Sequence, residues 1–174
     1  MEINKKILPK KVAVILTESE ILNILNRLSV GVLSETLDDN DKNLASKLKN
    51  TNTSNNYLFL AFSGEEMGLL GSNYYVKNAT IPNEKINYMI NMDMVGKMKA
   101  DSTLAVYGVG TSPMFKQTLT ANNNSFKLIE NESGVGPSDH TSFYLGDMPV
   151  LHFFTGQHED YHKPVDDSEK LNYD

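Results

Sequence analysis

Two adjacent carboxylates, Glu65 and Glu66, follow the apolar run Tyr57-Leu58-Phe59-Leu60-Ala61-Phe62 across the turn Ser63-Gly64. A pair of buried acids without partners is costly. A cation beside one of them, with the other taking protons as a base, would offset that cost. The same dipeptide also suits a helix N-terminus, where the helix dipole favours acids. Asp93 lies in Asn91-Met92-Asp93-Met94-Val95-Gly96, at the end of a second apolar run. It reads either as a ligand for a hard metal ion or as an ordinary turn aspartate. A third feature is Tyr161-His162-Lys163-Pro164-Val165-Asp166-Asp167, which follows the polar stretch Thr155-Gly156-Gln157-His158-Glu159-Asp160. Neutral imidazole is a common zinc ligand, and neighbouring acids can orient it. A solvated surface loop has the same composition. Fourth, the turn Gly134-Val135-Gly136-Pro137-Ser138 presents Asp139 and His140, as support for a site or as a helix cap.

These features need elements to position them. Short apolar runs at residues 12–16, 57–62, 86–92, 103–109 and 149–154 read as strands. Helical periodicity follows at 21–28, 65–77 and 112–121. The run at 57–62 is apolar on both faces, as in a central strand covered by helices. The alternation predicts an α/β fold: a three-layer sandwich around a mainly parallel sheet. In such sheets ligands bind beyond the carboxyl ends of the strands, where all four features fall.

Composition narrows the chemistry. The chain has 174 residues, enough for one domain with a real core. It has no cysteine, so a metal must be held by His, Asp, Glu or backbone oxygen. Sixteen Lys and Arg against 22 Asp and Glu give a net charge of −6, which argues against nucleic acid as partner. No apolar run approaches the roughly 20 residues of a membrane helix, so no membrane partner is expected. The charged start Met1-Glu2-Ile3-Asn4-Lys5-Lys6 is not followed by a long apolar core, so no signal peptide is expected.

Together, Phe62-Ser63-Gly64-Glu65-Glu66-Met67-Gly68-Leu69-Leu70-Gly71-Ser72, Asn91-Met92-Asp93-Met94-Val95-Gly96, Ser138-Asp139-His140-Thr141-Ser142-Phe143 and Tyr161-His162-Lys163-Pro164-Val165-Asp166-Asp167 resemble the co-catalytic zinc aminopeptidases. These are the bacterial leucyl aminopeptidase type, related to glutaminyl cyclase and glutamate carboxypeptidase. Four motifs in order make the signal specific; Gly-Glu-Glu alone is weak. The resemblance implies a zinc-exopeptidase-like fold and hydrolysis of the N-terminal peptide bond of a peptide substrate by a zinc-activated water. It implies Glu65 as general base, and Glu66 and His162 as ligands of one zinc. It places Asp93 on a second zinc, with Asp38 as candidate bridge between the two. Tyr161 would support the developing oxyanion. Asp139, His140 and His152 would back the ligands or line the substrate pocket.

The family's early His-x-Asp segment, whose histidine completes the Asp93 site, has no counterpart: the four histidines are His140, His152, His158 and His162. One or two zinc ions are therefore expected, the second site being a ligand short and the activity reduced. One zinc held by Asp38, Glu66, His162 and water would still be four-coordinate. Two other readings stay open: a single-zinc cyclase-like acyltransferase, and a non-catalytic remnant that binds peptides or proteins. Residues 1–35 do not match and read as part of an associated domain, with a partial catalytic domain over 36–174. Relatives of this type are mostly secreted or periplasmic. The sequence is silent on oligomeric state.

Overall fold

Four short strands form one sheet in the computed structural model, which describes residues 58, 60, 62–79 and 81–171. They are β1 (Met89–Asp93), β2 (Thr103–Tyr107), β3 (Lys127–Asn131) and β4 (Val150–Phe154), in the spatial order β1-β4-β2-β3. β1 runs parallel to β4 and β2 parallel to β3, while β4 and β2 are antiparallel. The sheet is thus mixed with parallel pairing in the majority, in line with the expected mainly parallel sheet.

Among the described residues, three helices of at least five residues cover it: α1 (Leu70–Lys77), α2 (Pro113–Asn122) and α3 (His140–Tyr144). Side chains alternate across a strand, so β4 serves two cores at once. Leu151 and Phe153 join Leu104 and Val106 of β2 against Phe115 and Leu119 of α2. On the other face Val150 packs with Phe143 of α3 and Met148, and Tyr75 and Val76 of α1 close over them. Helices on both faces make the three layers, and β4 is buried along nearly its whole length. Polar caps shape α2: the Ser112 hydroxyl accepts from the Met114 amide, and Pro113 opens the first turn.

Several boundaries differ from those predicted, for physical reasons. The helix expected over 65–77 begins only at Leu70. Gly64, Gly68 and Leu69 have φ of 70°, 99° and 59°, values that a right-handed helix excludes. Glu65 and Glu66 therefore lie in turns ahead of the helix, not in its first turn. The strand expected over 103–109 stops at Tyr107, because Gly108 turns with φ 83° into a 3-10 turn at Val109–Thr111. The strand over 86–92 starts at Met89, after a 3-10 turn at Asn83–Lys85. β3 is an additional strand with a mostly exposed, polar sequence, as edge strands often have.

Of the run 57–62, Leu58, Leu60 and Phe62 are described and belong to no strand. The strand at 12–16, the helix at 21–28, the boundary at residue 35 and Asp38 lie outside the described residues. Among the described residues no helix is long and apolar enough to cross a membrane.

Candidate metal and catalytic site

The two glutamates are presented by a tight double turn. The amides of Gly68 and Leu69 donate to the Glu65 carbonyl at 3.0 and 2.9 Å, and the Leu70 amide donates to the Gly64 carbonyl at 3.0 Å. This closes the backbone beneath the acids and leaves both side chains ahead of α1. Glu65 is half-buried and Glu66 exposed. His162 reaches the same place from the far end of the chain, its Nε2 standing 3.1 Å from Glu66 Oε1. Its backbone is left-handed, with φ 56°, an uncommon state for a non-glycine residue and a frequent mark of a functional turn. The ring lies against Tyr161, with centroids 4.0 Å apart.

Asp93 ends β1 beside this pair. Burial pushes its carboxyl pKa up, the Ser138 hydroxyl and the Met94 amide draw it down, and Glu66 raises it further. Glu65 is raised by burial first, then by Asp93, Glu66 and Asp139, with His162 opposing. Asp139 is raised by burial and by Asp93, against the Ser72 hydroxyl. Burial and the acids Glu66, Asp93 and Glu65 also raise the Tyr161 hydroxyl. These acids thus raise one another's pKa across a shared space, and the His162 imidazole offsets the effect at Glu65 and Asp93. A field of this sign attracts a cation.

Asp139 occupies the N-cap position of α3, but its φ of −54° and ψ of −25° are already helical, and its side chain makes no capping bond. The cap alternative does not describe it. His140 and His152 lie deeper, both buried, with rings stacked at 4.3 Å and 8°. Burial lowers the His140 pKa to about 4. His152 is lowered to about 3 by burial and by His140. The structure thus gathers Glu65, Glu66, Asp93, Asp139, Tyr161 and His162 around one space, with His152 and His140 behind it.

Carboxylate and imidazole are fitting zinc donors. Two ligands at about 2.1 Å and a tetrahedral angle stand about 3.4 Å apart, close to the Glu66–His162 separation. Asp93 has no donor atom as close to both. Among the described residues, only His158, Asp160 and Asp166 bring three such donor atoms within 4.8 Å of one another. Lysines already occupy that cluster. Lys97 Nζ is 2.6 Å from Asp166 Oδ1 and 3.1 Å from Asp160 Oδ2, and Lys170 Nζ is 3.1 Å from Asp160 Oδ2. Ammonium groups in those positions do not fit a metal centre.

Two uncharged residues, Asn91 and Ser138, join the site in addition to the candidates expected from sequence. Ser138 Oγ donates to Asp93 Oδ2 at 3.1 Å, and Asn91 Nδ2 donates to Ser138 Oγ at 2.9 Å. Asn91 carried a signal, since two residues before Asp93 on a strand means the same face.

Comparison with known proteins identifies the family. The model of peptidase family M28 matches residues 35–174. A probable leucine aminopeptidase of Trichophyton verrucosum is 31% identical over 104 residues, 56% of this chain and 27% of that protein. Aminopeptidase YwaD of Bacillus subtilis is 29% identical over 142 residues, 74% of this chain and 30% of that protein. The crystal structure of BSAP, a zinc aminopeptidase from Bacillus subtilis, superposes with a TM-score of 0.52 and 26% identity, over 65% of this chain and 30% of that one. The chain therefore spans under a third of the length of these relatives. With a family model covering most of its residues and the same fold in a solved member, the chain belongs to peptidase family M28.

Proposed function

We propose that this chain performs zinc-dependent aminopeptidase chemistry, releasing N-terminal residues from peptides. The observation that carries the reading is the 3.1 Å approach of Glu66 and His162, two potential zinc donors, beside Glu65. The relatives' names, all aminopeptidases, support the same activity. Glu66 and His162 would hold the ion, with Asp93 facing it and Asp38 as a further candidate ligand. Zinc would polarise the scissile carbonyl and acidify water beside it. Glu65 takes the proton from the attacking water and returns it to the leaving amine. Its raised pKa suits both transfers, because the carboxyl holds a proton more readily than a solvated glutamate does. The Tyr161 hydroxyl keeps its proton and remains a donor for the developing oxyanion.

The test is paired. Purified chain dialysed against zinc should retain the metal in stoichiometric amount and release leucine from a chromogenic amide. Glu65→Gln should keep the zinc and lose hydrolysis by roughly 10²-fold or more, the usual contribution of a positioned base. Unchanged hydrolysis in Glu65→Gln removes Glu65 from its role, and absence of bound zinc removes the proposal.

A further inference from the structure

Asp93 is the end of a chain of hydrogen bonds that begins at a buried histidine. Asn91 and His152 are register partners on the parallel strands β1 and β4, so their side chains emerge side by side on one face. Asn91 Nδ2 lies 3.0 Å from His152 Nδ1 and 2.9 Å from Ser138 Oγ, and Ser138 Oγ lies 3.1 Å from Asp93 Oδ2. His152 and Ser138 are both buried.

The directions of donation follow from the inventory of protons. An ionised Asp93 accepts only, so the single hydroxyl proton of Ser138 goes to it. Ser138 must then accept from its other neighbour, which requires the amide nitrogen of Asn91 there. That nitrogen has one more proton, and it points to His152 Nδ1. Nδ1 must therefore be bare, with the ring proton on Nε2. The opposite tautomer reverses the chain. A proton on Nδ1 would turn the Asn91 amide oxygen inward. Ser138 would donate to that oxygen, and Asp93 would lose its donor. His140 favours the neutral ring: it stacks flat on His152 at 4.3 Å, and neither of its nitrogens has a hydrogen-bond partner among the described residues.

We infer that His152 is a positioning residue, which through Asn91 and Ser138 fixes the hydrogen bond onto Asp93 and so the orientation of that carboxylate toward the cation space. The part that concerns a cation rests on the proposed function; the part that concerns the proton arrangement does not.

The two parts are tested separately. Nitrogen NMR of the metal-free, histidine-labelled full chain should show His152 with an unprotonated Nδ1. A protonated Nδ1 overturns the inference. Ser138→Ala should release the Asn91 amide and mix the two His152 tautomers, whereas an unchanged His152 spectrum in that variant also overturns it. Zinc titration then compares two substitutions. His152→Asn places an amide oxygen close to the position of Nδ1 and keeps an acceptor. His152→Phe keeps a ring against His140 but accepts nothing. Zinc affinity should fall by about 10- to 100-fold in His152→Phe and stay within a few-fold in His152→Asn, the range expected for partners behind a ligand. If packing alone mattered, the asparagine variant would be the worse, and that order, or equal loss, refutes the positioning role. A wild-type chain that takes no zinc ends the aminopeptidase reading, while the tautomer measurements still decide the relay.

Discussion

At the scale of single residues, the most consequential choice is to bury two imidazoles. His140 and His152 have folded pKa values of about 4 and about 3, against an ordinary value of 6.5. Between those values the unfolded chain binds protons that the native state refuses. Stability is therefore fully present above pH 6.5 and is lost as pH falls toward 4, by up to about 1.4 kcal/mol per pH unit for each ring. The acids work in the other direction. Glu65, Asp93 and Asp139 have raised values, so the metal-free native state holds their protons longer, and they lower stability as pH rises through the carboxylate range. The histidine loss begins near the ordinary imidazole value of 6.5 and opposes the gain from the acids, so a substitution of one ring isolates it. The melting temperature of the metal-free protein should fall between pH 6.5 and 5, and His140→Phe, which keeps a ring in the stack, should flatten that fall. A profile with the same slope in His140→Phe as in the wild type would show that the His140 ring protonates without cost. The charged candidates were legible in the sequence because an acid or imidazole at the end of an apolar run is conspicuous. Asn91 showed only that it shares a strand face with Asp93, and Ser138 showed nothing, because an uncharged side chain gains its role from strand register and from a loop folding over it.

At the scale of elements, what could be read follows from how each element buries its side chains. β1, β2, β4 and α2 announce themselves by apolar runs or helical period, since each packs against the core. β3 does not: Lys127–Asn131 is a mostly exposed edge, with no apolar pattern to find. α3 is only five residues long, too short for periodicity, yet it sets the depth of Asp139 and His140. Its anchor is Phe143, wholly buried, with ring centroids 5.7 Å from Phe62 and 5.8 Å from Tyr75. Ser142 adds a hydrogen bond to Ser72 of α1 at 2.8 Å. Truncating the anchor removes the packing between α1, α3 and β4 at once. Phe143→Ala should cost about 3–5 kcal/mol, the usual range for a core aromatic. The check is a lower midpoint in urea with an unchanged slope. A loss below about 1 kcal/mol would mean that α3 is held elsewhere.

At the scale of the molecule, the question is how His162 is carried to Glu66 from a segment that has almost no regular structure. β1 and β4 are adjacent and parallel, with Asp93 opposite Phe154, so the segments that leave them run out side by side. Thr155 ties the two exits by donating from Oγ1 to the Met94 carbonyl. Lys97, just past β1, then reaches Asp160 and Asp166 on either side of His162. The lysine is mostly shielded, with its side chain 13% exposed, and the Asp166 contact heads the causes that raise its pKa. Lys170 contacts Asp160 as well but is 45% exposed, where water and salt weaken the pairing. This arrangement was invisible in the sequence, because it depends on strand order and not on spacing along the chain. It predicts a ranking. Lys97→Met should speed amide hydrogen exchange across residues 156–167 and weaken zinc binding, while Lys170→Met should do far less of either. Raising the ionic strength from about 0.05 to 0.5 M should reproduce the weaker effect and not the stronger, since the Debye length then shortens mainly the exposed interaction. Equal effects from the two lysines would show that the segment is held by its own turns, and that Lys97 is not what brings the imidazole to the glutamate.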